Sequence, residues 1–360
     1  MPNTQSGLIS RLSTTSQDRL RRKALMFMRV ASKMLCFSLR PVFVTLPLRR
    51  ILAVLLEANM KDRFLEGLAE VEAMAARGRL ARFLRHPSRY LLAILHRKLI
   101  YPFQKNERLV WANTFFGRRM RLALPAATDI YLTGGKTHSS ETRLAKFLIR
   151  NLAPNSIFVD VGAHVGYFSL LAHELITEGQ VFAFEPASST FQLLQENTSA
   201  AARISTYNKA VSQADGFISF FEFDNLHSEY NSATVDQFAE EEWFQKNKTK
   251  ERKIESVSLD RFFEQQTSKP THIKIDVEGF EPEVIEGAAG LLMSAKPVII
   301  LEYLAEGRNN EPHRKAHRLL LARGYKSYYI THEGTTVAEP DPSAYLQRKK
   351  LDSDNILYLP

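Results

Sequence analysis

Ile157-Phe158-Val159-Asp160-Val161-Gly162-Ala163-His164-Val165-Gly166 decides the fold class. β-Branched and aromatic residues over 157–161 predict a short buried strand, with an acid at its end. Gly162 then permits a sharp turn and close approach of a ligand. The apolar pattern from Val165 to Leu175 predicts a helix whose first N–H groups face that turn.

The same unit repeats downstream. Strands are predicted at Gln180–Phe184, Ile204–Tyr207, Ile273–Ile275, Val298–Leu301, Ser327–Ile330 and Asn355–Leu359. Helices are predicted at Ser189–Ala201, where Ser189 and Gln192 have capping-box spacing, at Glu281–Leu292 and at Arg314–Arg323. A hairpin is expected at Asp215-Gly216, with the aromatic run Phe217–Phe223 packing in it, followed by a polar insertion over 224–252. Alternating strands and helices predict an α/β fold with a mainly parallel, doubly wound sheet over 156–360.

Upstream the texture differs. Leu20, Ala24, Phe27, Met28, Ala31 and Leu35 recur at helical steps, Pro41 and Pro47 interrupt, and further helices are expected over 50–77, stopped by Gly78, and over 90–99, stopped before Pro102. Residues 1–105 therefore read as a basic helical extension. Residues 106–155 read as a lead-in with strands at Val110–Phe115, Arg119–Leu124 and Ile130–Leu132 and a helix at Thr142–Leu152.

Charge follows this division. Residues 1–128 hold 24 Lys or Arg against 7 Asp or Glu, whereas 129–360 hold 24 against 32. The basic part suits a helical cap, a membrane-surface element or a polyanion contact, but it lacks a nucleic-acid-binding signature. With ten Lys or Arg against the single acid Asp18 in the first 56 residues, it also has the composition of an organellar transit peptide. No stretch is apolar enough to span a bilayer, and a secretory signal fits poorly. The single cysteine, Cys36, excludes an intrachain disulfide and a disulfide scaffold. A cytoplasmic protein is expected, with peripheral membrane contact through residues 1–105 left open.

The strand ends carry the chemistry. A dinucleotide fingerprint would need glycines at 162, 164 and 167, but the chain has Gly162, His164 and Tyr167. The pattern D-x-G-x-x-x-G, with Glu185 ending the next strand and placed to accept ribose hydroxyls, suits a ligand with a ribose and a cationic tail but no phosphates. S-adenosylmethionine has that chemistry. Asp160, Glu185, Asp276 and Glu302 all fall near carboxyl ends of strands, where they would form an anionic cup.

Phe158–Ser169, Phe184-Glu185-Pro186, Asn208-Lys209-Ala210-Val211, Ser258-Leu259-Asp260 and Ile273-Lys274-Ile275-Asp276-Val277-Glu278-Gly279-Phe280-Glu281 together resemble the FkbM-type S-adenosylmethionine-dependent methyltransferases. The resemblance runs from about Asp129 to the C-terminus and implies a Rossmann-like class I methyltransferase fold. It implies that Asp160, Gly162, Ala163, His164 and Gly166 surround the methionine part of the cofactor and that Glu185 holds its ribose. Asp276 and Glu278 would sit near the transferred methyl group as candidate catalytic residues, with Glu302 a third candidate base. His164 departs from the family, which usually has Asn there. The implied reaction is O-methylation of a hydroxyl on a sugar, polysaccharide or secondary metabolite. Asp276, Glu278 and Glu302 could together hold a magnesium ion, though no metal is predicted. His227 reads as a solvated loop residue. A fold that binds without turnover, acting through the basic front part, is the rival reading; a dehydrogenase fits least.

Overall fold

A computed structural model describes residues 46–104, 106–222, 250–308 and 310–360. The expected helix over 17–35, His227 and most of the polar insertion lie outside the described residues.

Helix α1 spans Leu46–Ala76, α2 Arg79–Arg85 and α3 Pro87–Leu95. Beyond the first turns of α1, everything described belongs to the unit Leu56–Pro360. Pro47, expected to break a helix, instead lies in the first turn of α1, where no intrahelical N–H is required. Pro102 likewise does not end the third helix. The turn His96–Ile100 is π-helical, with the Tyr101 N–H bonded to His96 O, and α4 (Tyr101–Gln104) restarts around the proline. Phe64, Leu68 and Val71 of α1 and Ala93 of α3 enter the same apolar core as the helices described next.

Strands β1 (Arg108–Asn113) and β2 (Arg119–Leu124) form an antiparallel pair. Residues 130–132, expected as a strand, lie in helix α5 (Thr128–Thr133), which ends on Gly134 at φ +81°. Three apolar residues in a row carry too little periodicity to separate the two states. Helix α6 (Ser139–Asn151) leads into the sheet.

The core alternates β3 (Ile157–Val161), α7 (Tyr167–Leu175), β4 (Gln180–Phe184), α8 (Ser188–Thr198) and β5 (Ile204–Tyr207). The expected capping box is not formed: Ala187 occupies the N-cap of α8 and no side chain caps it. Strands β6 (Ala210–Val211), β7 (Gly216–Glu222) and β8 (Lys250–Val257) make a separate small sheet in the order β6-β8-β7. The hairpin expected at Asp215-Gly216 is therefore absent, because β7 pairs antiparallel with β8. Phe220 is buried while Phe217 faces solvent.

Helix α9 (Leu259–Glu264) and strand β9 (His272–Ile275) follow. The helix expected over 281–292 is two, α10 (Glu281–Glu286) and α11 (Ala289–Ser294). At Gly287 between them, a Cβ would come within 2.0 Å of the Ser212 carbonyl oxygen, so backbone packs on backbone there. The chain closes with β10 (Val298–Leu304), α12 (Glu311–Leu321), β11 (Lys326–Ile330), β12 (Thr336–Ala338), α13 (Pro342–Lys349) and β13 (Ser353–Leu359).

The main sheet has the order β12-β11-β13-β10-β9-β3-β4-β5. Strands β10, β9, β3, β4 and β5 are parallel, and β13 runs antiparallel to both β10 and β11. Side chains alternate between its faces. Phe158 packs with α6 and α7, whereas Val159 and Val161 pack with residues of α9 to α13. The strand order reverses direction at β3 and β9, the switch point where an open sheet leaves a crevice at its carboxyl ends.

Candidate functional site

The turn after β3 is fixed by its backbone. Gly162 N–H and Ala163 N–H both donate to Phe184 O, at 3.0 and 2.9 Å, and Gly162 has φ +76°. A Cβ on Gly162 would lie 1.8 Å from the carbonyl oxygen of Asp276, so the turns after β3 and β9 can touch only through glycine. His164 also takes a left-handed conformation, φ +50°, which His and Asn tolerate better than most side chains. Burial, then the charge of Lys136, lowers its imidazole pKa to about 4, so the ring is neutral near pH 7.

A cavity of about 650 Å³ opens beside these turns, within the size range of small-molecule sites. Gly162, His164, Glu185, Asp276, Glu278 and Glu302 line it. Ala163 and Gly166 do not line it, and neither does Asp160. Asp160 is wholly buried below the turn, where its Oδ2 accepts from Ser169 Oγ at 2.6 Å and its Oδ1 lies 3.6 Å from Lys274 Nζ. Burial pushes the Asp160 carboxyl above its ordinary range.

Glu185 is held from both sides. Its Oε2 accepts from His164 N–H at 2.9 Å and its Oε1 from Ala187 N–H at 3.0 Å, while Asn208 Nδ2 pins the loop through Glu185 O. Burial nevertheless raises its pKa to about 7. Each carboxylate oxygen keeps a lone pair for a further donor.

At the end of β9, Lys274 Nζ donates to Asp276 Oδ2 at 3.0 Å. Burial works against the charge on Lys274, but Asp276 and Asp160 more than offset it and hold its pKa above the usual lysine value. Burial pushes Asp276 up, and the Lys274 ammonium overrides it to leave Asp276 below the ordinary carboxylate range. Glu302 moves the other way, raised to about 8 by burial and by the charge of Asp276. The pair thus holds its charge on Asp276 and a proton on Glu302 at neutral pH. Glu302 sits within β10, one residue past the ladder to β9, and pairs with Asn355 of β13. Glu278 follows at φ +52° beside Gly279 at φ +94°. Asp276, Glu278 and Glu302 each offer an oxygen within 4.8 Å of the others, close enough to share a cation.

Several lining residues were not singled out from the sequence. Lys274 could have been: it is a charged residue in an apolar parallel strand, two positions before Asp276. Lys136, Asp129 and Glu141 come from the lead-in to the sheet, where no motif marks them. Burial, then Glu141, raises Asp129 to about 6. Seven carboxylates against three Lys or Arg line the cavity, an excess that favours cationic and hydroxyl-bearing ligands.

Sheet order, switch-point crevice and acidic strand ends define a Rossmann-like α/β fold with a ligand site at its carboxyl edge. Residues 160–327 match the family model of the methyltransferase FkbM domain. A stretch of 166 residues is 27% identical to the hexuronic acid methyltransferase AglP of Haloferax volcanii, covering 44% of this chain and 61% of that protein. The crystal structure of an FkbM methyltransferase from Methylobacillus flagellatus aligns with 65% of this chain and 53% of its own, at 18% identity and a TM-score of 0.37. Aeropyrum pernix fibrillarin, solved with natively bound S-adenosyl-L-methionine, aligns with 61% of this chain and 74% of its own, at 11% identity and a TM-score of 0.34. The chain thus spans less than two-thirds of the first two relatives.

Proposed function

We propose that the chain is an S-adenosylmethionine-dependent O-methyltransferase that modifies a hydroxyl of a sugar or other glycan-like acceptor. The observation that carries this reading is Glu185, a buried carboxylate fixed by two backbone N–H groups in the wall of an acidic cavity. The similarity to a hexuronic acid methyltransferase supports a sugar, and within that class a uronic acid, as acceptor.

The donor set fits the cofactor. Glu185 would accept the two ribose hydroxyls through its remaining lone pairs. Gly162 and His164 would border the methionine part, and Ala163 and Gly166 would shape the turn from behind. Asp160 supports that turn from below, through Ser169 and Lys274. When bound, the cofactor supplies a methyl group already activated by a sulfonium, so much of the rate can come from alignment of the acceptor oxygen.

Proton removal from that oxygen falls to the acids after β9. Asp276 carries the charge and is held by Lys274, which makes it the first candidate base; Glu278 stands beside it and Glu302 keeps its proton behind it. A single cysteine fits work in a reducing cytoplasm.

Calorimetric titration with S-adenosylmethionine tests the reading. The intact protein is expected to bind in the micromolar range, on the order of −8 kcal/mol, and Glu185→Ala to weaken binding by at least about tenfold. A folded protein that binds neither S-adenosylmethionine nor S-adenosylhomocysteine would overturn it.

A further inference from the structure

We propose that helices α2 to α4 form a docking face for an anionic lipid surface. Among the described residues, every exposed large apolar side chain except Phe217, Met293, Leu321 and Val337 falls between Val54 and Trp111. The densest part is a stripe. Leu80 and Leu84 are 71% and 67% exposed, Leu91 and Leu95 are each 48%, Leu99 is 61% and Phe103 is 84%. Their spacing of four residues within 80–84 and again through 91–103 places them along helix faces. The opposite side of these helices is used: Ala93, His96 and Tyr101 are buried.

Charge names the partner. Residues 79–108 contain eight Lys or Arg and one acid, Glu107. Arg97 and Lys98 are exposed immediately beside Leu99, and neither forms an ion pair among the described residues. An apolar stripe edged by unneutralised cations is the composition of an interfacial helix, whose apolar face enters the headgroup region while its cations meet anionic lipids. A nucleic acid would meet the same cations but would leave the leucines and Phe103 in contact with a polar, hydrated interface. No described helix is long and apolar enough to cross a membrane, so the contact is peripheral.

The face also lies next to the site. Helix α3 packs on α5, with the Arg89 guanidinium 5.6 Å from the Tyr131 ring centroid, and Asp129 and Ile130 of α5 line the cavity. A docked molecule would therefore hold one wall of its cavity one helix away from the lipid.

Vesicle flotation of the full chain tests this, with phosphatidylcholine alone and with about one-third phosphatidylglycerol. The wild type is expected to float with the anionic vesicles and to bind neutral ones at least about tenfold more weakly. The double variant L95E/L99E changes exposed side chains only, so melting should stay as in the wild type while binding to anionic vesicles falls at least about tenfold. Wild-type protein left at the bottom of the gradient would overturn the proposal. So would full binding by the double variant, which would move lipid affinity to other residues. A wild type that dimerises without lipid, and a double variant that does not, would make the face a contact between copies and overturn it too. Tighter binding to RNA than to anionic vesicles, lost in the same variant, would do likewise.

Discussion

Lys274 Nζ reaches Asp276 Oδ2 at 3.0 Å, two residues along the chain, and the same ammonium lies 3.6 Å from Asp160 Oδ1. One cation thus serves an acid beneath the β3 turn and an acid lining the cavity. Residues two apart in an extended chain share a face, so β9 itself sets this geometry. The charge that keeps Asp276 ionised is supplied by the strand that leads into it.

Lys274→Met is expected to destabilise the protein by roughly 3–5 kcal/mol, because it strands the buried Asp160 carboxylate. The loss should be largest at alkaline pH and shrink on acidification, where Asp160 can take a proton. In whatever folds, the acid limb of the activity profile should move upward as Asp276 loses its cation. Urea unfolding at several pH values measures the first effect and a pH–rate profile the second. Unchanged stability with an unmoved limb would remove Lys274 from this role.

Glu302 supplies a pH dependence of opposite origin. Its folded pKa, about 8, lies above the ordinary value of 4.5, so between those values the folded protein binds the proton more tightly than the unfolded chain. Stability from this group is present at low pH and lost as pH rises through about 8. The melting temperature of the ligand-free protein should therefore decline from pH 5 to 8. Glu302→Gln, which keeps the shape and cannot ionise, should flatten that decline and exceed the wild type at pH 8. A wild-type curve that rises over this window would contradict the assignment.

The sheet was legible because buried parallel strands are short apolar runs ended by an acid or a turn. β3, β4 and β5 fall where the pattern places them. What resisted was set by long-range contact. The partner of β7 lies beyond a charged segment, in β8, and local alternation cannot name it. Ile130–Leu132, three apolar residues in a row, carry no period that separates strand from helix, so the sequence alone hides the helix α5 that brings Asp129 to the cavity. The strand-end acids were visible, but their separation into a buried support, Asp160, and cavity-lining groups, Glu185 and Asp276, depends on side-chain direction. Lys274 was in plain view within its motif, yet its role appears only when β3 and β9 stand side by side.

Two of the left-handed positions after β3, Gly162 and His164, should respond differently to substitution. Gly162→Ala adds a Cβ 1.8 Å from the Asp276 carbonyl oxygen at φ +76°. Steric displacement and backbone strain together should cost about 2–5 kcal/mol and push the Asp276 turn out of place. His164→Asn keeps a residue suited to φ +50° and should change stability by less than about 1 kcal/mol. Thermal melts of both variants give the comparison. A Gly162→Ala variant as stable as the wild type would mean that the two turns do not touch.

Glu185 gives the cofactor assignment a pH signature. Its pKa of about 7 leaves it partly protonated in the free protein at neutral pH, because burial outweighs the bonds from Ala187 and His164. Ribose hydroxyls donate hydrogen bonds and so favour the ionised carboxylate, which lowers its pKa in the complex. Binding should then release a proton, and affinity should rise as pH increases from about 6 to 8. The slope can reach at most about tenfold per pH unit for one proton. Calorimetry in buffers of different ionisation enthalpy counts the proton directly. Glu185→Gln should bind more weakly and with no pH dependence over that range. Equal proton release by wild type and variant would place the titrating group elsewhere and detach Glu185 from the ribose.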